Sequence, residues 1–167
     1  MDNRQYSDTE TNRSATSGGS ASQLPSPAQE IPEYYFETCF KLEGEPSSLP
    51  LNYGIITAYA TTGEKWTAAE NLKADAQLKE ALSAQKLKLW RITGYSPKTG
   101  HAEAGWAVEL PLTEAIEIGK HYLQHAIYYV RAGQLTVHLC DNEAMAEVGP
   151  MKARLHPARN EPSTEPK

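Results

Sequence analysis

The pair His101 and Glu103, two residues apart in a glycine-rich stretch, is the first place in this chain where side chains of suitable type could do chemistry together. Residues two apart point to the same side of an extended segment, so the imidazole and the carboxylate can act on one group. Such a pair can transfer a proton or help to bind a divalent ion. The alternative is a loop hydrogen bond or an exposed pair without a role, since charged pairs at the surface usually contribute little.

Metal chemistry is the most specific interpretation of the histidines, and the sequence gives it little support. Zinc-dependent nucleobase deaminases also carry His-x-Glu, but their metal shell needs Pro-Cys-x-x-Cys, and here Cys39 and Cys140 stand far apart. His121 and His125 have the i, i+4 spacing that lets a helix present two imidazoles to one metal, yet the sequence offers no third ligand and no H-E-x-x-H motif. We therefore expect no metal and no cofactor, and two buried free thiols.

The His101–Glu103 pair lies between two predicted strands. The stretch 94–106 contains three glycines, and glycine allows backbone angles that other residues resist, so we expect a sharply shaped loop there. Alternating side chains predict a strand over 87–93 before this loop and a strand over 105–110 after it. Aromatic and β-branched composition, with a short glycine-containing loop near the end, predicts the remaining strands over 34–40 and 53–59 and a hairpin over 126–140.

Two helices are predicted between these strands. The segment Thr67-Ala68-Ala69-Glu70 is a capping box, in which the threonine side chain accepts a free amide and the glutamate reaches back. Asn71 lies three residues before Ala74 on the apolar stripe of this helix, and a polar side chain there needs a partner, either a nearby backbone group or a ligand. The second helix is predicted to begin at Thr113, and Gly119 within it indicates close packing against the sheet.

The order of elements predicts an α+β fold. It runs strand, strand, helix, strand, strand, helix, strand, strand, which favours a mainly antiparallel sheet with two helices on one face. The inner part reads β-α-β-β-α-β, the split pattern of ferredoxin-like folds, with extra strands outside it.

Composition and charge limit the domain organisation and the partners. The chain has 167 residues and a net charge of -5, which argues against general nucleic-acid binding because that needs a basic surface. Polar, Pro-rich composition predicts disordered tails over 1–33 and 149–167, with a single domain over 34–148. No apolar run is long enough for a membrane span and the N-terminus lacks the apolar region of a signal peptide, so we expect a cytoplasmic protein.

A sequence of short motifs carries a family resemblance. Ile55-Ile56-Thr57-Ala58-Tyr59, Glu70-Asn71, the stretch 94–105, and Gln124-His125-Ala126-Ile127 with the closing hairpin follow one another in order. Together, over about 34–141, they resemble the bacterial family catalogued as domain of unknown function 3293. The resemblance implies a small α+β bacterial protein without an assigned activity. It also implies that one cluster of polar residues forms a shared pocket: Asn71, Ser96, His101, Glu103 and Gln124.

Two functional hypotheses follow from these residues. The favoured hypothesis is a binding module, in which the 94–106 loop and the start of the first helix form a pocket for a small polar ligand or a protein segment. The alternative is a hydrolase or a nucleotide-directed enzyme, with His101 as general acid or base and Glu103 as its orienting group or a metal ligand. The sequence contains no nucleophile elbow, Walker A or dinucleotide-binding motif, and it leaves the oligomeric state open.

Overall fold

The computed structural model describes residues 31–60 and 64–158. Residues 1–30 of the predicted N-terminal tail and residues 159–167 of the predicted C-terminal tail therefore lie outside the described residues. The described chain contains eight strands and two α-helices. The strands are β1 (Cys39–Leu42), β2 (Asn52–Thr57), β3 (Leu89–Tyr95), β4 (Ala102–Val108), β5 (Ala126–Arg131), β6 (Gln134–Leu139), β7 (Met145–Pro150) and β8 (Leu155–Pro157), and the helices are α1 (Ala68–Ala84) and α2 (Leu112–His121).

All eight strands form one sheet in the order β7-β6-β5-β2-β4-β3-β1-β8. Every neighbouring pair is antiparallel except β1 and β8, which are parallel. The predicted α+β class with a mainly antiparallel sheet and two helices is therefore confirmed. Neither helix in the described residues is long and apolar enough to cross a membrane.

The sheet is curled, and the connection between its two edges explains why. Strands β7 and β8 lie at opposite edges, yet only the four residues Met151–Arg154 join them. That connection reaches at most roughly 18 Å, whereas eight strands laid flat would hold the edges about 34 Å apart. The sheet must therefore curl until its edges approach each other, which gives it an inner and an outer face.

The end of the domain lies later than the predicted boundary at 148. Strand β7 continues through Gly149 and Pro150, and β8 pairs with β1. Met151 between them is buried and donates its backbone N–H to the carbonyl of Gly133. Pro150 and Pro157, two of the prolines that suggested a tail, stand at the last positions of edge strands, where a missing amide donor is tolerated.

The aromatic run at 34–40 is also different from the prediction. A short 3₁₀ helix occupies Glu33–Phe36, and the strand begins only at Cys39. The backbone N–H of Tyr35 donates to the carbonyl of Pro32, which closes the turn. Tertiary packing of the tyrosine rings thus outweighs their preference for strands.

Apolar side chains fill both faces of the sheet. The two helices cover the outer face, where Ile56, Trp106 and Val108 pack against Leu78 and Leu82 of α1. The inner face has its own core without a helix, made of Phe40, Leu42, Tyr53, Ile55, Trp90, Ile92, Ala107, Val130, Leu135 and Met151. Alternation along each strand assigns successive residues to opposite faces, so the inner face can be followed from this core to the strand ends.

Local interactions at the helix ends fix where each helix begins. The predicted capping box of α1 is confirmed, because Glu70 N–H donates to Thr67 Oγ1 at 3.1 Å and Thr67 N–H to Glu70 Oε2 at 2.7 Å. Helix α2 begins at Leu112 after Pro111, without the predicted side-chain cap from Thr113. Gly119 packs closely as predicted, since a Cβ there would lie 2.6 Å from Ile127 Cγ2.

A buried ion pair attaches α1 to the sheet. Arg91 on β3 donates two parallel hydrogen bonds to Asp75 on α1, at 2.8 and 2.7 Å, and Asp75 is only 4% exposed. The guanidinium carbon lies 3.9 Å from the ring centroid of Trp106, the residue paired with Arg91 on β4. The hydrogen bonds to Asp75 raise the pKa of Arg91. Removing either partner would leave the other charge buried without compensation.

Replacing Asp75 by alanine tests this attachment. We expect Asp75→Ala to lower the free energy of unfolding by about 3 kcal/mol, because the partly buried Arg91 keeps its charge, loses both carboxylate oxygens and retains only the carbonyl of Gly105 at 3.4 Å. Urea denaturation followed by circular dichroism measures the loss. Glu80→Ala on the exposed side of the same helix is the matched control and should stay within about 0.5 kcal/mol of the wild type. Equal effects of the two substitutions would show that the ion pair does not hold α1.

Candidate functional site

A cavity of about 790 Å³ opens where the inner face of the curled sheet reaches the strand ends. Register explains which residues reach it: Thr57 follows Ile55 on the inner face of β2, and Glu103 of β4 pairs with Gly94 of β3. Tyr128 of β5 pairs with Ile55 and extends the same face. The cavity is therefore the mouth of the curled sheet, a position where ligand sites are common in barrel-like folds.

All five predicted site residues line this cavity: Asn71, Ser96, His101, Glu103 and Gln124. The predicted loop over 94–106 is shorter than expected, because β3 runs to Tyr95 and β4 begins at Ala102. Only Ser96–His101 forms the turn, closed by the Ser96 N–H donating to the carbonyl of His101 at 2.9 Å. Gly105 lies in a strand, as the predicted strand over 105–110 requires, whereas Gly94, predicted as a loop residue, also belongs to the strand ladder.

Gly105 shows why a glycine is needed inside this strand. A Cβ at that position would lie 2.4 Å from the backbone oxygen of Ile56 and 2.7 Å from Thr57 Cγ2. The absence of a side chain thus lets Thr57 of the neighbouring strand occupy the inner face beside it. Glycine at such a position marks a close approach between backbone and side chain.

His101 and Glu103 form a hydrogen-bonded pair at the rim of the cavity. His101 Nε2 lies 2.8 Å from Glu103 Oε2. The imidazole side chain is 71% exposed, while the carboxylate is 30% exposed and points inward. An ionised carboxylate only accepts, so this contact requires the imidazole proton on Nε2. The pair is thus open to solvent on one side and to the cavity on the other.

A second polar contact connects Glu103 to buried Gln124 through Thr57, a residue that the sequence analysis did not select. Thr57 Oγ1 lies 2.9 Å from Gln124 Oε1 and 3.4 Å from Glu103 Oε1. The amide nitrogen of Gln124 donates to the carbonyls of Tyr59, at 2.8 Å, and Tyr122, at 3.1 Å. The sequence did contain a signal for Thr57, because residues two apart in a strand lie on one face and Thr57 follows Ile55 by two in β2.

The orientation of Gln124 determines where the hydroxyl proton of Thr57 lies. Both amide hydrogens of Gln124 are taken by carbonyls, so its oxygen must face Thr57 and accept from it. Thr57 has a single hydroxyl hydrogen, and its contact with Gln124 at 2.9 Å is shorter than its contact with Glu103 Oε1 at 3.4 Å. Glu103 Oε1 therefore receives only a weak hydrogen bond from Thr57 and keeps acceptor capacity at the cavity wall.

Gln124 is held in place by a strained turn. Leu123 before it has a φ of 59°, in the left-handed region that costs an L-residue roughly 1–2 kcal/mol. Its side chain is 67% exposed, so burial does not offset this cost. The turn lets Gln124 N–H donate to the carbonyl of Gly119 at 2.9 Å and directs the amide side chain toward β2.

Asn71 fixes the chain at the opposite rim. Its Oδ1 accepts the backbone N–H of Ala60 at 2.9 Å, which is the nearby backbone partner considered in the sequence analysis. The side chain also lines the cavity, so the same residue fastens the segment after β2 and reaches the site. One turn further along α1, Asp75 binds Arg91 and keeps this face of the helix on the sheet.

An aromatic wall completes the cavity and consists of Tyr34, Tyr35, Phe40, His125 and Tyr128. Tyr35 stacks on His125 with ring centroids 6.2 Å apart, and Tyr128 meets Phe40 edge to face at 5.1 Å. The hydroxyl of Tyr128 donates to the carbonyl of Tyr35 at 2.8 Å. Burial raises the pKa of both Tyr35 and Tyr128 well above the usual value for tyrosine, and the nearby charge of Glu103 adds to this.

The structure does not bring metal ligands together. His121 is the last residue of α2 and His125 lies beyond it, so the two do not share a helix face. Within 31–60 and 64–158, no group of three or more potential ligands could hold a metal ion. Both cysteines are free, and burial raises the pKa of the Cys140 thiol to about 11, which makes it a poor nucleophile.

Comparison with known families gives one match. Residues 56–127 match the family described as "Protein of unknown function (DUF3293)", so the predicted resemblance to this family is confirmed over that segment. No curated protein and no solved structure matches the chain. The matched segment includes α1, the β3–β4 hairpin and Gln124, and therefore all five predicted site residues.

Replacing Gln124 by methionine tests the polar network. We expect Gln124→Met to lower the free energy of unfolding by about 2 kcal/mol, because the Thr57 hydroxyl and two carbonyls lose their partner. Thermal unfolding followed by circular dichroism measures the change. Gln77→Met, at an exposed position of α1, is the matched control and should have little effect. A Gln124→Met variant as stable as the control would contradict the network as described.

Proposed function

We propose that the protein is a binding module that holds a small polar ligand with a planar ring in the mouth of the curled sheet. The observation that carries the proposal is the cavity itself. Its volume of about 790 Å³ lies within the range typical of small-molecule sites, roughly 300–1,000 Å³. Hydrogen-bonding groups from β2, β4, α1 and the turn after α2 converge on it, which supports recognition of one ligand.

The cavity has an aromatic lining and a polar lining, which together suit a ligand with an apolar ring face and a polar substituent. The aromatic wall offers ring faces on which a planar molecule can stack. Glu103, Thr57 and Asn71 supply polar atoms around the same space. A ring bearing a polar substituent would bury its face against the tyrosines and hydrogen-bond at the wall formed by β2 and β4.

An enzyme is the second candidate, and the His101–Glu103 contact of 2.8 Å favours it. In this case His101 would act as general acid or base, and Glu103 would orient its imidazole. The two hydroxyls on the same turn already accept backbone N–H groups at 3.2 Å, Ser96 from Thr99 and Thr99 from His101. Because the described residues offer no further member of a catalytic set around His101, binding without turnover is the better supported function.

Two finer expectations belong with this proposal. The order β5-β2-β4-β3 around the two helices supports a ferredoxin-like core within the larger sheet. A cytoplasmic location and a bacterial origin stay predictions from the sequence.

A ligand screen with a cavity-filling variant tests the binding proposal. We expect cyclic polar compounds to raise the melting temperature of the full chain, since ligand at a hundredfold its Kd adds about 2.7 kcal/mol to the free energy of unfolding. Ala126→Phe places a ring inside the cavity and should abolish the shift. Ala102→Phe, on an exposed position outside the cavity, is the matched control and should preserve it.

Several results of the screen would count against the proposal. A broad screen without a stabilising compound would contradict binding, as would a shift that both phenylalanine variants preserve. Compounds that bind should be recovered unchanged after long incubation. Conversion by the wild type but not by His101→Ala, detected by mass spectrometry, would establish the enzyme instead.

A further inference from the structure

We infer that the ligand presents a positively charged N–H group, as in an amidinium or a ring-bearing amine, to Glu103 at the wall of the cavity. This inference rests on the proposed function, because it names the chemical class of the ligand that the cavity binds. The inference follows from which polar groups of the cavity lining already form hydrogen bonds within the protein and which can still accept one.

Three donors of the lining are engaged within the protein. The hydroxyl of Tyr128 donates to the carbonyl of Tyr35, and the hydroxyl of Thr57 donates to Gln124. The amide of Gln124 donates to two backbone carbonyls. A ligand acceptor would therefore compete with an existing acceptor for each of these three donors.

An acceptor with remaining capacity faces the cavity at the same place. Glu103 Oε1 lies 3.4 Å from Thr57 Oγ1, a long contact, because the hydroxyl of Thr57 makes its shorter bond, 2.9 Å, to Gln124. A ligand N–H placed beside Glu103 Oε1 would give this oxygen a closer donor. Hydrogen bonds to a charged acceptor are stronger than neutral ones, so the carboxylate is the principal contact.

The charges around the cavity favour a cation at this position. Lys98, on the hairpin turn, is paired with Glu37 and is mostly exposed. Lys65 lies on the exposed rim, and Arg154 donates to the carbonyl of Thr38 at 3.1 Å. Glu103 is the carboxylate whose charge reaches the inner aromatic rings, because it acts on both Tyr35 and Tyr128.

The aromatic wall adds a second attraction for the same charge. A cation held at Glu103 would lie near the rings of Tyr35 and Tyr128, and ring faces attract cations. Both phenols resist ionisation, so they stay neutral and do not compete as anions. A carboxylate beside aromatic faces thus distinguishes cationic rings from neutral or anionic rings of equal size.

Three probes with one ring skeleton test the inference: benzamidine, benzamide and benzoate. They are cationic, neutral and anionic, and titration calorimetry on the full-length wild type measures their Kd values. We expect benzamidine to bind about tenfold or more tightly than benzamide, and benzoate to bind more weakly than both. Equal Kd values for benzamide and benzamidine, or a Kd of benzoate lower than either, would overturn the inference.

A charge-neutralising variant locates the effect. Glu103→Gln should raise the Kd of benzamidine about tenfold or more and change the Kd of benzamide by no more than about threefold. Glu109→Gln, on the exposed segment after β4, should change neither Kd. An unchanged benzamidine Kd in Glu103→Gln would overturn the inference. The order of the three Kd values is measured on the wild type, so the inference can still be tested if Glu103→Gln folds poorly.

The same experiment separates this inference from the proposed function. If none of the three probes binds but the cyclic-compound screen yields a ligand that Ala126→Phe excludes, the charge class is wrong and the binding function stands. If the screen also yields nothing, the binding function itself fails.

Discussion

The close connection between the two edges of the sheet is the constraint on which the rest of the structure depends. Four residues between β7 and β8 leave no room for a flat eight-stranded sheet. Curling creates an inner face that can bury an apolar core without a helix, with Met151 of the connection as part of that core. It also creates an open end, where the side chains that extend the inner face beyond the core line the cavity.

The two helices serve the site indirectly, through polar contacts at their ends. The Asp75–Arg91 pair holds α1 against β3, and one turn earlier Asn71 reaches the cavity rim. After α2, the strained turn at Leu123 directs Gln124 toward Thr57. Each contact is a satisfied polar group on the boundary between helix and sheet, so the rim is fixed by the same bonds that attach the helices. A cavity held by packed elements in this way is pre-organised, which is what the proposed binding function requires.

The sequence predicted the elements well where local rules dominate. The capping box of α1, the close packing at Gly119 and the closing hairpin are all local signals, and each is confirmed. The 3₁₀ helix at Glu33–Phe36 and the strand β8 were missed, because Tyr35 of this helix contacts Tyr128, and β8 pairs with β1, both distant in the sequence. Secondary-structure propensity and the spacing of prolines do not indicate which edge of the sheet a segment will pair with. The five polar residues were grouped by family resemblance. Thr57 was recognised as part of the same network only from the structure, in which it contacts both Glu103 and Gln124.

The most direct test of the account is to locate a bound ring by nuclear magnetic resonance. Benzamidine titrated into ¹⁵N-labelled protein should shift the backbone amides at the mouth, among them Gly94, Glu103 and Ala126, in a saturable manner. Amides at the opposite end of the same strands, such as Leu89 and Arg131, should stay unchanged. Saturable shifts confined to residues away from the mouth would contradict the claim that the curled sheet binds its ligand there.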